Sequence, residues 1–247
     1  QDVFELQDEI AMQIMTALQV KLTVGEYESG TAGGTSNLKA LESFWRAEER
    51  FFRFSKEDNA ETRRWVEKAI ELDPMYAFAY VALAFTHFID LIWGFSKLPL
   101  LSFEQIKKLS EKALELNDSL DYAHMLLGMI FLFNRQYDEA IKEGEKAVSI
   151  NPNGADVLAM LGLTLNFEGE IKRAIPILKK AIRLNPIPPS HYFNHLGISY
   201  RLIGNFKQSI KMFNKAISIE PNDVTHYVAL VATYVYSGQE KKAREVV

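Results

Sequence analysis

Residues 121–186 read DYAHMLLGMIFLFNRQYDEAIKEGEKAVSINPNGADVLAMLGLTLNFEGEIKRAIPILKKAIRLNP, and the stretch says the same thing twice. A shift of 34 residues lays Leu127-Gly128 on Leu161-Gly162, Ala140-Ile141 on Ala174-Ile175, Ala147 on Ala181, and Asn151-Pro152 on Asn185-Pro186. Physical chemistry explains the choice of residues. Two antiparallel helices approach closely only where a small side chain admits the partner backbone, and Gly128, Gly162, Ala140 and Ala174 sit where that crossing falls. Each Asn-Pro pair ends a second helix, because Pro lacks a backbone N–H and bars the preceding residue from helical angles.

A 34-residue period with Leu-Gly in a first helix, Ala before a bulky residue in a second, and Pro at the end resembles the tetratricopeptide repeat. The resemblance implies an all-α fold, a right-handed α-α superhelix whose inner wall is the row of first helices. In that family the wall is the binding surface.

Outward from the central pair, the pattern continues in both directions. The first repeat covers residues 38–74, with Phe44, Trp45, Phe51 and Phe52 as bulk and a capping box at Ser55-Lys56-Glu57-Asp58. Its register is open, since Glu48 falls near the small-residue position and the turn is longer. The second, residues 77–118, carries about ten extra residues around 90–103, which either lengthen both helices or form an apolar lobe with Ile92, Trp93, Phe95 and Leu100. Repeats at 121–152, 155–186 and 189–221 follow, and a partial one spans 224–247. Pro176 falls early in a second helix, where it would bend the helix slightly.

Ahead of the array, residues 1–24 form a predicted amphipathic helix with Phe4, Leu6, Ile10, Ile14 and Leu18 on one face. Gly-, Ser- and Thr-rich residues 25–37 read as a flexible linker. The chain starts at Gln and stops within a helical pattern, so the expectation is a piece of a longer protein.

The 247 residues are 48% hydrophobic with a formal charge of −4, enough apolar material for a core and no basic cluster for nucleic acid. The most apolar stretch, 76–101, is interrupted by His87, Asp90, Gly94, Lys97 and Pro99, a poor membrane span. No cysteine is present, so neither a disulfide framework nor a thiolate metal site is available, and the compartment stays open between cytoplasm, which is favoured, and periplasm.

Catalysis needs an activated nucleophile or a tuned acid and base converging in a pocket, and no such constellation is legible. His191 and His195 have a helical metal-ligand spacing but no adjoining Glu of the zincin type, and His87, His124 and His226 stand alone. The expectation is a non-enzyme without metal or cofactor.

The inward positions implied by the resemblance give a candidate groove. They are Phe78, Val81, Phe85, Phe88 and Ile89, then Tyr122, Met125, Met129, Leu132 and Phe133. Asp156, Ala159, Leu163, Asn166 and Phe167 follow, and then His191, Asn194, Ile198, Arg201 and Leu202. The last set is Thr225, Val228, Ala232, Val235 and Tyr236. Modules of this family that clamp C-terminal carboxylates use Lys, Asn and Arg at such sites, so Phe, Met and Leu here argue for an apolar guest. A helical or extended peptide is the expected partner, with the helix at 1–24 of this chain or of a neighbouring one as a candidate. A tight superhelix would instead bury many of these residues in its own packing.

A second resemblance bears on context. Asp2-Val3-Phe4-Glu5-Leu6-Gln7-Asp8-Glu9-Ile10, Thr35-Ser36-Asn37-Leu38 and Phe51-Phe52-Arg53-Phe54-Ser55-Lys56-Glu57-Asp58-Asn59 are similar to the junction between a TolB-like domain and the repeats of bacterial class III adenylate or guanylate cyclases. It implies a regulatory segment of a larger signalling enzyme, with nucleotide and metal handled elsewhere. Similar tails occur on transcriptional regulators.

Overall fold

The computed structural model describes residues 34–246 other than Phe52 and Phe54. The expected helix with Phe4, Leu6, Ile10, Ile14 and Leu18 therefore lies outside the described residues. Among those described, twelve α-helices and no strand are found, in two compact units, Gln1–Asp118 and Ser119–Val247.

The first unit holds α1 (Leu38–Phe51), α2 (Lys56–Leu72), α3 (Ala77–Ile92) and α4 (Pro99–Leu116). Asn37 starts α1 by accepting from the Lys39 and Ala40 amides through Oδ1, while its Nδ2 donates to the Leu72 carbonyl at 2.7 Å, so one side chain ties the entry of α1 to the exit of α2. Ser55 caps α2: its Oγ accepts from the Asp58 amide at 3.0 Å and donates to the Asp58 carboxylate at 2.7 Å. The core gathers Phe44, Val66, Tyr76 and Leu83 around the small residues Ala40, Ala47, Ala69, Ala79 and Ala82. The register of the first pair is settled by Ala47, which is buried with its carbonyl 3.5 Å from Thr62 Oγ1, whereas Glu48 is exposed. The ten extra residues of the second pair extend both helices, to 16 residues in α3 and 18 in α4. A tight turn joins them, closed by the Phe95 and Ser96 amides donating to the Asp90 carbonyl, and Ile92, Trp93, Leu98, Leu100 and Leu101 are exposed at its tip.

The second unit stacks four helical pairs. They are α5 (Asp121–Phe133) with α6 (Tyr137–Ile150), α7 (Ala155–Glu168) with α8 (Ile171–Leu184), α9 (Ser190–Leu202) with α10 (Phe206–Ile219), and α11 (Val224–Tyr236) with α12 (Glu240–Val246). First helices also pack on one another along the row, α5 on α7, α7 on α9 and α9 on α11. The reason for glycine at the crossing is visible at Gly162, where an added Cβ would lie 2.5 Å from Leu178 Cγ. At Gly128 it would meet the Ala140 carbonyl at 3.2 Å, and at Gly197 the Phe213 ring at 2.8 Å. The turn between paired helices needs one left-handed residue, supplied by Gly169, Gly204 and Gly238 in three pairs and by Arg135, at φ 59°, in the first. Asn151 and Asn185 cap α6 and α8, donating their backbone amides to the Ala147 and Ala181 carbonyls. Pro176 sits inside α8, which runs unbroken from Ile171 to Leu184.

Candidate interaction surface

The residues expected to line the groove divide into two layers. In the first unit Val81 and Ile89 are buried and Phe78, Phe85 and Phe88 half-buried, with Phe78 against Phe44 and Phe85 between Phe51 and Phe88 at ring separations of 5.4–5.7 Å. In the second unit Met125, Met129, Leu132 and Ala159 are buried. Leu163, Ile198 and Ala232 are half-buried. These mid-helix residues serve the packing of one first helix on the next.

The other layer is exposed. Phe133, Phe167, Leu202 and Tyr236 close α5, α7, α9 and α11, and they are 51%, 59%, 53% and 72% exposed. Each stands 34 or 35 residues after the last, so the repeat itself places one large apolar side chain per first helix at the same level. Val228 and Val235 extend the apolar surface of α11. Arg201, half-buried among them, donates to the Ala229 carbonyl at 3.3 Å and lies 5.9 Å from the Phe213 ring, and burial lowers its pKa.

A set of polar links that the repeat pattern did not announce joins neighbouring helices. Asp156 accepts from Tyr122 Oη at 3.1 Å and from Tyr192 Oη at 2.6 Å, so one carboxylate of α7 reaches both α5 and α9. Burial and then the Asp156 carboxylate raise the pKa of both phenols, which stay protonated donors. Asn166 donates to the His195 carbonyl at 2.9 Å and accepts from Ser199 Oγ at 2.7 Å. Buried His124 meets the Glu143 carboxylate at 2.6 Å across the α5–α6 pair. Asn194, expected in the groove, instead has its amide 2.8 Å from His226 Nδ1, and Ser190 donates to Glu220 at 2.6 Å.

His191 and His195 do share a face, with rings 5.5 Å apart, but His191 is exposed and His195 buried. The pKa of His195 is pushed down to about 3, first by burial and then by the charge of His191, with a hydrogen bond to the Ala159 backbone opposing. The only signal in the sequence for the polar links is that most partners fall about one repeat apart, His124 and Glu143 excepted at 19 residues; the hydroxyl and amide identities follow no period.

The family model described as tetratricopeptide repeat matches residues 122–153, 155–188 and 190–223. A Rhizobium meliloti (strain 1021) protein provisionally named adenylate cyclase 3 is 29% identical over 140 residues, 57% of this chain. The chain spans 24% of the length of that curated relative. Among solved structures, a thermophilic tetratricopeptide protein of Thermus thermophilus superposes with a TM-score of 0.60 at 17% identity, over 79% of this chain and 99% of its own. A chain of the APC/C hetero-tetramer Cut9–Hcn1 gives 0.66 at 15% identity, covering 91% of this chain and 47% of its own. A tetratricopeptide repeat protein of Parabacteroides merdae ATCC 43184 gives 0.55 at 17%, over 83% and 77%. At these identities the likeness is one of fold. Among the described residues no helix is long and apolar enough to cross a membrane. Residues 122–223 thus carry tetratricopeptide repeats, and the helical-repeat fold implies a protein–protein interaction scaffold.

Proposed function

We propose that this chain is a non-catalytic interaction module that holds a helical or extended peptide against the exposed ends of α5, α7, α9 and α11. The observation that carries the reading is the periodic row Phe133, Phe167, Leu202 and Tyr236, since large apolar side chains left in water at regular spacing favour an apolar cover. Each anchor buried by a guest contributes roughly 1.5–3 kcal/mol in transfer terms before ordering costs are subtracted. The guest with the matching pattern is the stripe Phe4, Leu6, Ile10, Ile14 and Leu18 of this chain or of a neighbouring copy. Deleting residues 1–24 then raises the binding of an apolar dye, and adding back a peptide of residues 1–24 quenches it. Unchanged dye binding after the deletion rules out the self-derived guest, and a quadruple Phe133, Phe167, Leu202 and Tyr236 to Ser variant that still binds peptide rules out the surface.

A second reading is favoured by the adenylate cyclase relative: the module is the regulatory segment of a larger signalling enzyme or of a transcriptional regulator, and catalysis lies elsewhere in the parent. The full gene tests it. A cyclase or DNA-binding domain upstream supports it, and an array with no such domain removes it.

A further inference from the structure

Where α10 turns into α11, three ionisable side chains meet that are six residues apart at most in sequence. Glu220 caps the end of α10, and its Oε2 accepts from Ser190 Oγ at 2.6 Å. Asp223 caps the start of α11, with Oδ1 accepting from the Thr225 amide at 2.8 Å and hydroxyl at 2.7 Å. His226 follows in the first turn of α11, 1% exposed, its Nδ1 2.8 Å from the Asn194 amide. In each of the three, one atom is anchored by a neighbouring hydroxyl or amide.

The decisive feature is His226 Nε2. It is buried without a hydrogen-bond partner, and the nearest carboxylate oxygen, Asp223 Oδ2, stands 3.4 Å away in poor alignment. A buried imidazole nitrogen left unpaired carries a desolvation cost that native structures ordinarily avoid. Donor atoms from Glu220, Asp223 and His226 all lie within 4.8 Å of one another. An ion bound at roughly 2.0–2.2 Å from each would hold them roughly 3–4 Å apart, a small contraction. Among the described residues neither carboxylate forms an ion pair with Lys or Arg, so two negative charges converge on one imidazole.

We propose that Glu220, Asp223 and His226 bind one divalent first-row transition-metal ion. Two carboxylates and one imidazole suit Zn²⁺ or Mn²⁺, and water fills the remaining positions on the half-exposed side. Oxygen and nitrogen of an amide exchange places by a simple flip; with Asn194 Oδ1 toward Nδ1–H, the proton sits on Nδ1 and the Nε2 lone pair faces the carboxylates. Ser190 and Asn194 are positioning residues, orienting Glu220 and His226. An ion here would pin the turn from α10 into α11, with Ser190 and Asn194 tying α9 to it.

The test uses the whole chain, stripped with a chelator and titrated with ZnCl₂ by calorimetry, with Co²⁺ as a visible-absorption probe. One ion per chain binds saturably and the melting temperature rises with Zn²⁺. Glu220→Gln and Asp223→Asn keep their hydrogen-bonding roles as caps and partners, so the circular dichroism spectrum is unchanged while affinity falls more than 100-fold; His226→Asn behaves alike. Ser190→Ala and Asn194→Ala weaken binding by about 10- to 100-fold, the usual effect of removing an orienting partner. No saturable binding overturns the site. So does binding that survives Glu220→Gln and Asp223→Asn, or that is lost only on His191→Asn, which would place the ion on the exposed histidine of α9.

Discussion

The joint between the two helical pairs of the first unit and the joints within the second are built on different physics. In the first unit α2 meets α3 through a polar cluster: Arg63 pairs with Asp90 at 2.8 Å and donates to Thr86 Oγ1 at 3.0 Å, while Asn59 donates to the Thr86 carbonyl at 2.9 Å and to Asp90 at 2.6 Å. In the second unit each second helix meets the next first helix mainly by shape, while Asp156, Asn166 and Asn194 link one first helix to the next. A Cβ on Gly144 would touch Leu161 Cδ1 at 3.0 Å, and Ala159, Ala181, Leu158 and Tyr192 close the next joint with apolar surface. The difference follows helix length. Where α3 outgrows the repeat, its last turns at Thr86 and Asp90 are held to α2 by directional charge-assisted bonds. Where 13- and 14-residue helices alternate regularly, complementarity of surface carries the contact of second helix with next first helix, and the polar links fall between first helices.

All three tryptophans, Trp45, Trp65 and Trp93, fall in the first unit, so their fluorescence follows that unit while far-ultraviolet dichroism follows both. Acid gives the largest expected effect. His195 of the second unit has a folded pKa of about 3, and His87 of the first is lowered to about 4 by burial and the Arg63 charge, with Asp90 opposing. The unfolded chain binds these protons near pH 6.5, so stability is complete above that and falls as pH drops toward 4 and 3. For buried His195 the loss is on the order of a few kcal/mol at about 1.4 kcal/mol per pKa unit. His195→Gln flattens the profile of denaturant midpoint against pH seen by dichroism and leaves the fluorescence profile alone; a profile unmoved in both breaks the assignment.

Gly162→Leu comes next, destabilising the second unit by about 3 kcal/mol because Leu178 cannot yield at its branch carbon. A loss below about 1 kcal/mol in chemical denaturation would mean the shape-made joint is loose. Arg63→Ala costs about 2 kcal/mol, between an exposed and a buried pair, and its shift is read in the fluorescence transition. Should the shift be negligible, the polar joint rests on packing after all. The smallest effects fall at the turns within the helical pairs of the second unit. Arg135→Gly relieves a left-handed residue and stabilises by about 0.5–1 kcal/mol, while Gly204→Ala, with open space around its Cβ, destabilises by about 1 kcal/mol from backbone alone. Equal signs in thermal melts would refute the shared turn geometry.

Much of the fold is legible in the sequence because its causes are local and periodic. Leu127-Gly128 and Ala140 report a helix crossing wherever they recur, and Asn-Pro reports a helix end. The register of the first pair is harder, since the extra turn residues displace Ala47 from the expected spacing. The surface is only half legible. Position within the repeat finds Phe133, Phe167 and Tyr236, but the same rule selects Val81, Met125 and Met129, which neighbouring first helices cover. His226 looks isolated in a linear reading because its companions are a cap residue, a helix end and Asn194 on the preceding first helix, and no spacing rule links those.

Asp156 has a consequence for how the second unit comes apart. Repeat arrays are coupled only to nearest neighbours and tend to fray from their ends. A single carboxylate that receives Tyr122 from one side and Tyr192 from the other makes the loosening of either flank felt at the opposite one. Three successive layers are thereby yoked, and the unit should let go of them together rather than peel them away one at a time.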